Sequence, residues 1–312
     1  MTFQAPTMGY AVQLGMNNNA TSTAVAATEK YELISESLAS QRNILNTAGM
    51  RGSRSQVLER IRQGTIAPGG TLTLEPTPNE LRNLMPRILG GTEGGNSTLY
   101  TYAVAATVPY FQTIIDRGAK VYTYVGCKVD RAVFRAGQGG MLQLELSIEA
   151  LNEALGNSGT FASLSIDSNA PFTLFDGTLT LNGTAVQMMD VELTIDNALK
   201  KDRFVNSQTR TDLPEEDRVV TIKCTVPYTS DTVGLYDVGA SGITCDLKFA
   251  VGGAGEGASG TSLRFVLQKV VFPANKSPTV ASKREEIPLV LTGQVYMTAG
   301  TDEIAAHVDV AA

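Results

Sequence analysis

Residues 70–91 read GTLTLEPTPNELRNLMPRILGG, a stretch in which a strand pattern runs directly into a helix pattern. The segment TLTLE alternates apolar and polar residues, as a half-buried strand does. Thr77 and Glu80 form a T-x-x-E capping box, and Pro78 suits the first position of a helix. The apolar stripe of that helix consists of Leu81, Leu84, Met85 and Ile88. The stretch therefore predicts a strand followed by a helix over residues 78–89, which the two glycines after it end.

Strand patterns dominate the rest of the chain, and most of them alternate apolar and polar residues. This alternation is typical of antiparallel sheets that pack on one face only. Turn residues such as Asp176-Gly177 and Asn182-Gly183 separate successive strands. We therefore predict a mainly β fold with small helical additions.

A fainter version of the opening stretch recurs at residues 219–240, VVTIKCTVPYTSDTVGLYDVGA. Four blocks of sequence share one order along the chain: residues 31–55 with 191–215, 71–77 with 221–229, 124–134 with 265–275, and 141–150 with 287–296. This order predicts an internal duplication, although β-rich chains also resemble one another without common descent. Gly234 lies inside the second helix pattern and predicts a short or frayed helix there.

The repeated blocks divide the chain into four segments. We predict a first unit over residues 1–155, a joint over 156–172, a second unit over 173–302 and a C-terminal tail over 303–312. The joint is polar and rich in small residues, as linkers are. Each unit is expected to carry one short flanking helix.

Composition and charge narrow the class of protein. The chain has 312 residues, of which 43% are hydrophobic and 18% charged, as in a globular protein. Its net charge of −6 argues against a protein that grips nucleic-acid phosphates, but not against a surface that DNA slides past. The three cysteines fit neither a disulfide framework nor a zinc site, and they suggest a reducing compartment.

The N-terminal residues and the hydropathy of the chain concern its location. The first residues lack a basic segment followed by a continuous apolar run, so we expect no secretory signal peptide. No stretch approaches the roughly 20 apolar residues of a membrane helix, so no membrane insertion is expected. These features predict a soluble intracellular product, or one that is assembled inside a cell and released later.

Residues capable of catalysis are scarce. His307 is the only histidine, and a serine or cysteine triad would have to be built on it. The run Glu215-Glu216-Asp217 resembles an acid/base or metal cluster, but beside Pro214 it is more typical of a solvated loop. We therefore predict no enzyme activity, no cofactor and no metal site.

A long polar segment over residues 46–68 carries arginine. Its sequence, NTAGMRGSRSQVLERIRQGTIAP, is too extended for an ordinary hairpin loop. Loops of this length are usually functional, and arginine is favoured at protein contacts. The alternative is a disordered loop that only keeps the monomer soluble.

The run from Lys30 to Gly91 resembles the tail tube proteins of long, flexible-tailed bacteriophages, in their larger, duplicated form. The resemblance is sharp over that run and extends to the rest of the chain only in layout. It implies two tandem β-sandwich or partial-barrel units, each flanked by a short helix. It also implies that three chains make a ring with pseudo-sixfold symmetry, and that rings stack into a hollow tube for DNA ejection.

The resemblance also implies partners and a location. The partners would be further copies of the chain, the tape measure, tail terminator and distal tail proteins, and DNA passing through the lumen. Assembly would occur in the host cytoplasm and the product would lie in the virion tail. Candidate contacts between subunits or rings are Arg42, Arg51, Arg54, Arg60 and Arg62 on the basic side and Glu215, Glu216 and Asp217 on the acidic side.

Two other classes of function remain open on the sequence. A non-catalytic β-sandwich module that binds sugars or acts as an adhesin in a virion would need an exposed aromatic platform. The chain has no tryptophan and only 6% aromatic residues, which disfavours that module. An enzyme ranks third because of the missing histidines.

Overall fold

The computed structural model describes residues 9–20, 23–46, 48–49, 52, 54–55, 57–96, 98–156, 161, 163–235, 238–251, 261–272 and 286–310. The predicted mainly β fold is confirmed: nineteen strands and one α-helix make up the regular structure of these residues.

The first half carries the helix. Its elements are β1 (Gln13–Asn17), β2 (Glu29–Tyr31), β3 (Ser35–Glu36), β4 (Ala39–Leu45), β5 (Arg62–Leu74), α1 (Pro78–Leu89), β6 (Gly94–Gly95), β7 (Leu99–Ala103), β8 (Phe111–Asp116), β9 (Val121–Gly137), β10 (Gln143–Glu149) and β11 (Asn152–Gly156). Short 3-10 turns occupy Gly9–Ala11 and Leu58–Arg60.

The second half is built from strands and turns. Its strands are β12 (Gly177–Leu181), β13 (Thr184–Val186), β14 (Asp190–Asp196), β15 (Val219–Pro227), β16 (Ile243–Ala250), β17 (Ser262–Val271), β18 (Pro288–Tyr296) and β19 (Ile304–Asp309). Short 3-10 turns occupy Leu174–Asp176 and Gly239–Ser241.

All pairings between strands of the first half are antiparallel, and they form two sheets that share β9. One sheet has the order β2–β1–β8–β9–β11. The other has the order β4–β5–β10–β9, with β3 also on β5. Gly126 has a positive φ of 64° at the point where β9 leaves the first sheet for the second. A residue without a side chain is needed there, because a Cβ would lie 2.7 Å from the Leu151 side chain.

The second half pairs its strands in the same orders. Its first sheet runs β13–β12–β16–β17–β19, and its second runs β14–β15–β18–β17. β17 is shared between the two sheets, as β9 is in the first half. In the second sheet of each half, the inward positions are mostly buried leucine, isoleucine and valine. Each half therefore packs its two sheets face to face.

The two halves are joined edge to edge. β14 pairs with β9, so one sheet runs β5–β10–β9–β14–β15–β18 through both halves. β19 similarly pairs with β7 of the first half. The hydrophobic core is continuous across this junction, where the rings of Phe134 and Phe265 lie 4.9 Å apart.

Helix α1 has the predicted bounds and the predicted capping box. The Thr77 N–H donates to Glu80 Oε2 over 3.0 Å, and the Glu80 N–H donates to Thr77 Oγ1 over 3.3 Å. Gly90 follows the helix with a φ of 83°, the left-handed conformation of a glycine C-cap. The apolar stripe is fully buried and packs on β7, β9 and β19.

A buried arginine fixes the other side of α1. Arg87 is 1% exposed, and its guanidinium lies 2.7 Å from Glu29 Oε2 on β2. It also donates to Asn18 Oδ1 and to the Tyr31 hydroxyl oxygen. Burial raises the pKa of the Tyr31 hydroxyl, so Tyr31 stays neutral beside the ion pair. The helix is thereby tied to the first sheet.

Three sequence-based boundaries need correction. Residues 62–68 belong to strand β5 rather than to the predicted loop 46–68, because they pair with β4 from Ala39 to Leu45. Residues 229–235 form a single turn, closed by the Val233 N–H donating to Thr229 O over 3.0 Å, and not an α-helix. The predicted tail 303–312 contains β19, whose Ile304, Ala306 and Val308 are buried against β17 and β7.

Candidate assembly interface

The end of the β4–β5 hairpin is exposed. Both strands extend beyond the sheet, and six of the seven residues of β4 are exposed. Arg42, Arg54, Arg60 and Arg62 are all exposed on or near this hairpin, whereas Arg51 lies outside the described residues. Of the ion pairs between described residues, one involves these arginines, with 4.0 Å between Arg42 Nη2 and Glu153 Oε1.

The end of the hairpin also exposes apolar side chains. Ile44 is 62% exposed, Leu45 55% and Leu58 77%. Singly exposed apolar residues are ordinary, but a cluster of them beside arginine is typical of a contact surface. The hairpin therefore offers both apolar and cationic groups to another molecule.

The corresponding segment of the second half folds differently. Residues 197–218, here called the strap, leave β14 and lie across the first half before β15 begins. The Ile66 N–H of β5 donates to Gln208 O over 2.6 Å, and the Gln208 side chain donates to Gln63 O over 3.1 Å. The strap therefore continues the edge contact between the two halves.

Paired charges hold the strap in place. Arg210 is 8% exposed, and its guanidinium lies 2.9 Å from Glu149 and donates to Pro68 O over 2.7 Å. Lys201 Nζ lies 2.7 Å from Asp130 Oδ2. A buried arginine of this kind is stable only because its charge has a partner. The sequence did not identify these residues, because their partners are far apart along the chain.

The acidic candidates occupy two different environments. Glu215 Oε1 lies 2.7 Å from Lys128 Nζ and accepts the Val108 N–H over 2.8 Å, so it forms a contact between the halves of one chain. Glu216 and Asp217 are exposed on the surface of the strap. The structure thus separates one buried carboxylate from two that face solvent.

Tyr110 lies beside the Lys128–Glu215 pair. The Tyr110 hydroxyl donates to Asp212 Oδ1 over 2.6 Å, and its ring lies 4.4 Å from Lys128 Nζ. Burial raises the pKa of Tyr110 to about 12. The hydrogen bond from Tyr110 holds the pKa of Asp212 below its usual range. Both groups therefore keep their charge states over the physiological range.

Among the residues that the structure describes, neither helix nor second sheet packs on one face of the continuous sheet, here called the bare face. Its side chains are mostly threonine, serine, glutamine and charged groups. On β9, Arg135 lies 2.7 Å from Glu145 on β10 and 2.8 Å from Glu192 on β14. Arg131 lies 3.8 Å from the same Glu145. Both arginines lie on this face because side chains alternate along β9, and no local pattern in the sequence shows that β10 and β14 lie beside them.

Groups with potential for chemistry are inside the fold. Cys127, Cys224 and Cys245 are free and buried, and burial raises the pKa of each thiol. Within the described part of the chain, no group of histidine, cysteine and acidic residues has the arrangement of a metal site. Among those same residues, no helix is long and apolar enough to cross a membrane.

Comparison with known proteins agrees with this architecture. The profile of the phage tail tube protein family matches residues 7–295. None of the curated proteins compared with the chain is a match. Because the family profile covers most of the chain, the chain belongs to the phage tail tube protein family. It is accordingly a structural subunit of the tail tube, located in the virion tail.

Proposed function

We propose that three copies of this chain close into a ring, and that stacked rings form the hollow tube through which DNA is ejected. The observation that carries this proposal is the single sheet that runs through both halves. Each half contributes the same strand order to that sheet, and one half follows the other edge to edge. A unit that adds to itself in this way closes into a ring when the rotation permits.

The proposal includes an ancient duplication with two units per chain. The matching strand orders of the two halves support it, down to the last strand of each unit, β11 and β19. The helix positions support it as well. Thr77 begins the box of the first half with Glu80, and Thr229 begins a box in which its N–H donates to Thr232 Oγ1 over 2.8 Å.

The junction between the halves serves as a template for the junction between chains. Counting back from the cap residues Thr77 and Thr229, Ser40 on β4 corresponds to Ile195 on β14. The Asn197 N–H donates to Asp130 O over 2.7 Å, so the alternation of antiparallel bonds directs the Ile195 N–H toward β9. We infer that the Ser40 N–H likewise faces a strand of the neighbouring chain.

The hydrogen bonds of β5 give the same direction for Ser40. The Ala150 N–H donates to Pro68 O over 3.1 Å, so the backbone groups of β5 at Pro68 face β10. The residue opposite Pro68 on β4 is Ser40, and it therefore directs its N–H away from β5. This leaves an open edge of the kind that pairs with another chain.

Three chains per ring would give a barrel with an open channel. Four strands of each half belong to the continuous sheet or its edges, which makes eight per chain. Twenty-four strands spaced about 4.8 Å apart and tilted by about 40° give a barrel roughly 50 Å across at the backbone. A barrel of this strand number has an open channel.

Closure also assigns the two faces of the sheet. Helix α1 and the other sheets pack on one face. A packed layer about 10 Å deep on the inside would narrow the channel by about 20 Å, so we place these elements outside. The bare face would therefore line the channel. Its acidic residues outnumber its cations: Glu75, Glu145, Glu149, Asp190, Glu192 and Asp196 against Arg131, Arg135, Lys223 and Lys269. A lining with this balance does not retain DNA.

Blocking the open edge of β4 tests ring closure. We expect Ser40→Pro to abolish tube formation, because proline removes the outward N–H without removing a bond to β5. The control is Ser40→Val, which keeps the N–H and suits a strand. Negative-stain electron microscopy detects tubes, and thermal melting verifies that both variants fold. Normal tubes from a folded Ser40→Pro variant contradict closure through β4.

The proposal assigns stacking between rings, or contact with the neighbouring subunit, to the hairpin and the strap. The exposed arginines of the hairpin and the exposed Glu216 and Asp217 are complementary in charge, which would set the order of the halves around the ring. Arg51 is included in this assignment. Deletion of residues 50–61, which stops before β5, should leave a folded chain that does not form long tubes. Normal tubes from this deletion variant would show that the end of the hairpin is not needed for assembly.

The remaining partners follow from a tube that must begin and end. The proposal places the distal tail and tail terminator proteins at its two ends and the tape measure protein in the lumen. These contacts would use the same ring faces that stack between copies of the chain. The family assignment supports contacts with other tail proteins in general.

A further inference from the structure

The bare face carries two arginines, although arginine binds phosphate more readily than any other side chain. Arg135 is 46% exposed and Arg131 44%, so burial does not prevent either from meeting a ligand. Both lie on β9, in the middle of the continuous sheet. On the proposed tube they would face the passing DNA.

Carboxylates from both neighbouring strands hold Arg135, and a carboxylate from one of them lies near Arg131. Arg135 Nη1 lies 2.7 Å from Glu145 Oε2, and its Nε lies 2.8 Å from Glu192 Oε2. Arg131 Nη2 lies 3.8 Å from Glu145 Oε1. Glu145 comes from the first half and Glu192 from the second, so Arg135 is held from both sides of the junction. These pairs also raise the pKa of the Arg135 guanidinium.

We propose that Glu145 and Glu192 mask Arg135 and Arg131, so that the central strand of the bare face does not bind the phosphates of DNA. The inference rests on the proposed function, since the bare face is taken to line the channel. This masking explains why arginine is compatible with a channel wall that DNA must pass without being bound. An arginine whose donors already meet carboxylates has fewer donors for phosphate. A further cation of this face, Lys223 on β15, lies directly across from Glu192.

The test compares two pairs of neutralised carboxylates on the same face. Glu145→Gln with Glu192→Gln removes both partners of Arg135. The control, Glu75→Gln with Asp190→Asn, removes the same charge from residues that form no ion pair among those the structure describes. Binding of a short fluorescent DNA duplex is titrated at low salt, on assembled tubes and on unassembled chains.

We expect the Glu145/Glu192 variant to bind the duplex roughly tenfold more tightly than the wild type, with little change in the control. Its dependence on salt should steepen by about 0.9 per arginine released. Adding Arg135→Gln to that variant should reverse the gain, and Arg135→Gln alone should leave DNA binding as it is in the wild type.

Equal gains in the two carboxylate variants would overturn the inference, because total charge alone would then explain them. No gain in the Glu145/Glu192 variant, or weaker binding by Arg135→Gln alone, would overturn it as well. The unassembled chain separates this inference from the ring. Failure of the wild type to form tubes contradicts the proposed function, while masking is still decided by the titration of single chains.

Discussion

The two halves share their strand orders but differ in the segment that follows β5 in the first half and β15 in the second. The first half has a twelve-residue helix there, and the second has one turn over residues 229–235. Helix α1 packs on β19 of the second half, and its Ile88 carbonyl accepts a hydrogen bond from the Asn197 side chain over 3.0 Å. The helix thus covers the junction inside the chain.

This difference separates two kinds of junction on the proposed ring. The junction within a chain has the helix, the strap and the pairing of β7 with β19, all formed when the chain folds. The corresponding junction between chains would have the turn of the second half in place of the helix, and the hairpin of the first half in place of the strap. We infer that the junction between chains forms on assembly. The junction within a chain forms earlier, when the chain folds.

The largest expected effect concerns the anchor of the helix. Arg87→Met should destabilise the chain by about 3–5 kcal/mol, because it leaves Glu29 without its buried partner. Arg82→Ala, on the same helix, removes a half-exposed pair with Glu93 and should cost about 1 kcal/mol or less. Denaturant unfolding measures both. Equal losses of stability would show that the buried Arg87–Glu29 pair contributes no more than the half-exposed Arg82–Glu93 pair.

The strap offers a second comparison between adjacent residues. Glu215→Ala should destabilise the chain by about 2 kcal/mol, since Lys128 keeps only the Leu213 carbonyl and the Tyr110 ring. Glu216→Ala should change stability by less than about 0.5 kcal/mol, because its side chain faces solvent. Both values come from urea titration. A small effect at Glu215 would mean that the strap does not hold the halves together.

The strap also shows why the site was only partly predictable. The capping box and apolar stripe of α1 are local patterns, and they gave its bounds. The pair Lys128–Glu215 joins residues far apart in sequence, so no local pattern reveals it. The length and polarity of residues 46–68 predict a loop, whereas pairing with β4 makes residues 62–68 a strand. In β19, alternation at Ile304, Ala306 and Val308 was a usable signal.

A third comparison concerns pH and the two capping boxes. Burial raises the pKa of Glu80 to about 7, whereas the second half uses the neutral Thr232 at the same position. Because the folded pKa lies above the unfolded value of 4.5, the stability contributed by protonated Glu80 is complete below pH 4.5. It is lost as the pH rises through about 7.

Glu80→Gln should remove this part of the pH dependence, which we expect to amount to about 2 kcal/mol. Thr232→Val provides the control, because it changes the box of the second half without changing a charge. Unfolding curves between pH 4.5 and 8 distinguish the two. An unchanged slope in Glu80→Gln would contradict a raised pKa at the helix start.

The smallest expected effects concern two glycines. Gly90 follows helix α1, and Gly234 lies in the corresponding turn of the second half. Gly90 has a φ of 83°, and a Cβ there would lie 2.3 Å from Thr107 O, so Gly90→Ala should destabilise the chain by at least about 1 kcal/mol. At Gly234 a Cβ would have no atom within 4 Å, so Gly234→Ala should stabilise the chain by about 0.5 kcal/mol. Melting temperatures resolve both signs. A loss at Gly234 would show that the turn depends on glycine.

Cryo-electron microscopy of tubes assembled from the purified chain tests the central claim most directly. The account predicts three chains per ring, with six similar units around the wall and the bare face toward the channel. The junctions should alternate between β9–β14 inside a chain and an equivalent pairing through β4 between chains. Six chains per ring, with one half of each lying outside the tube wall, would contradict it.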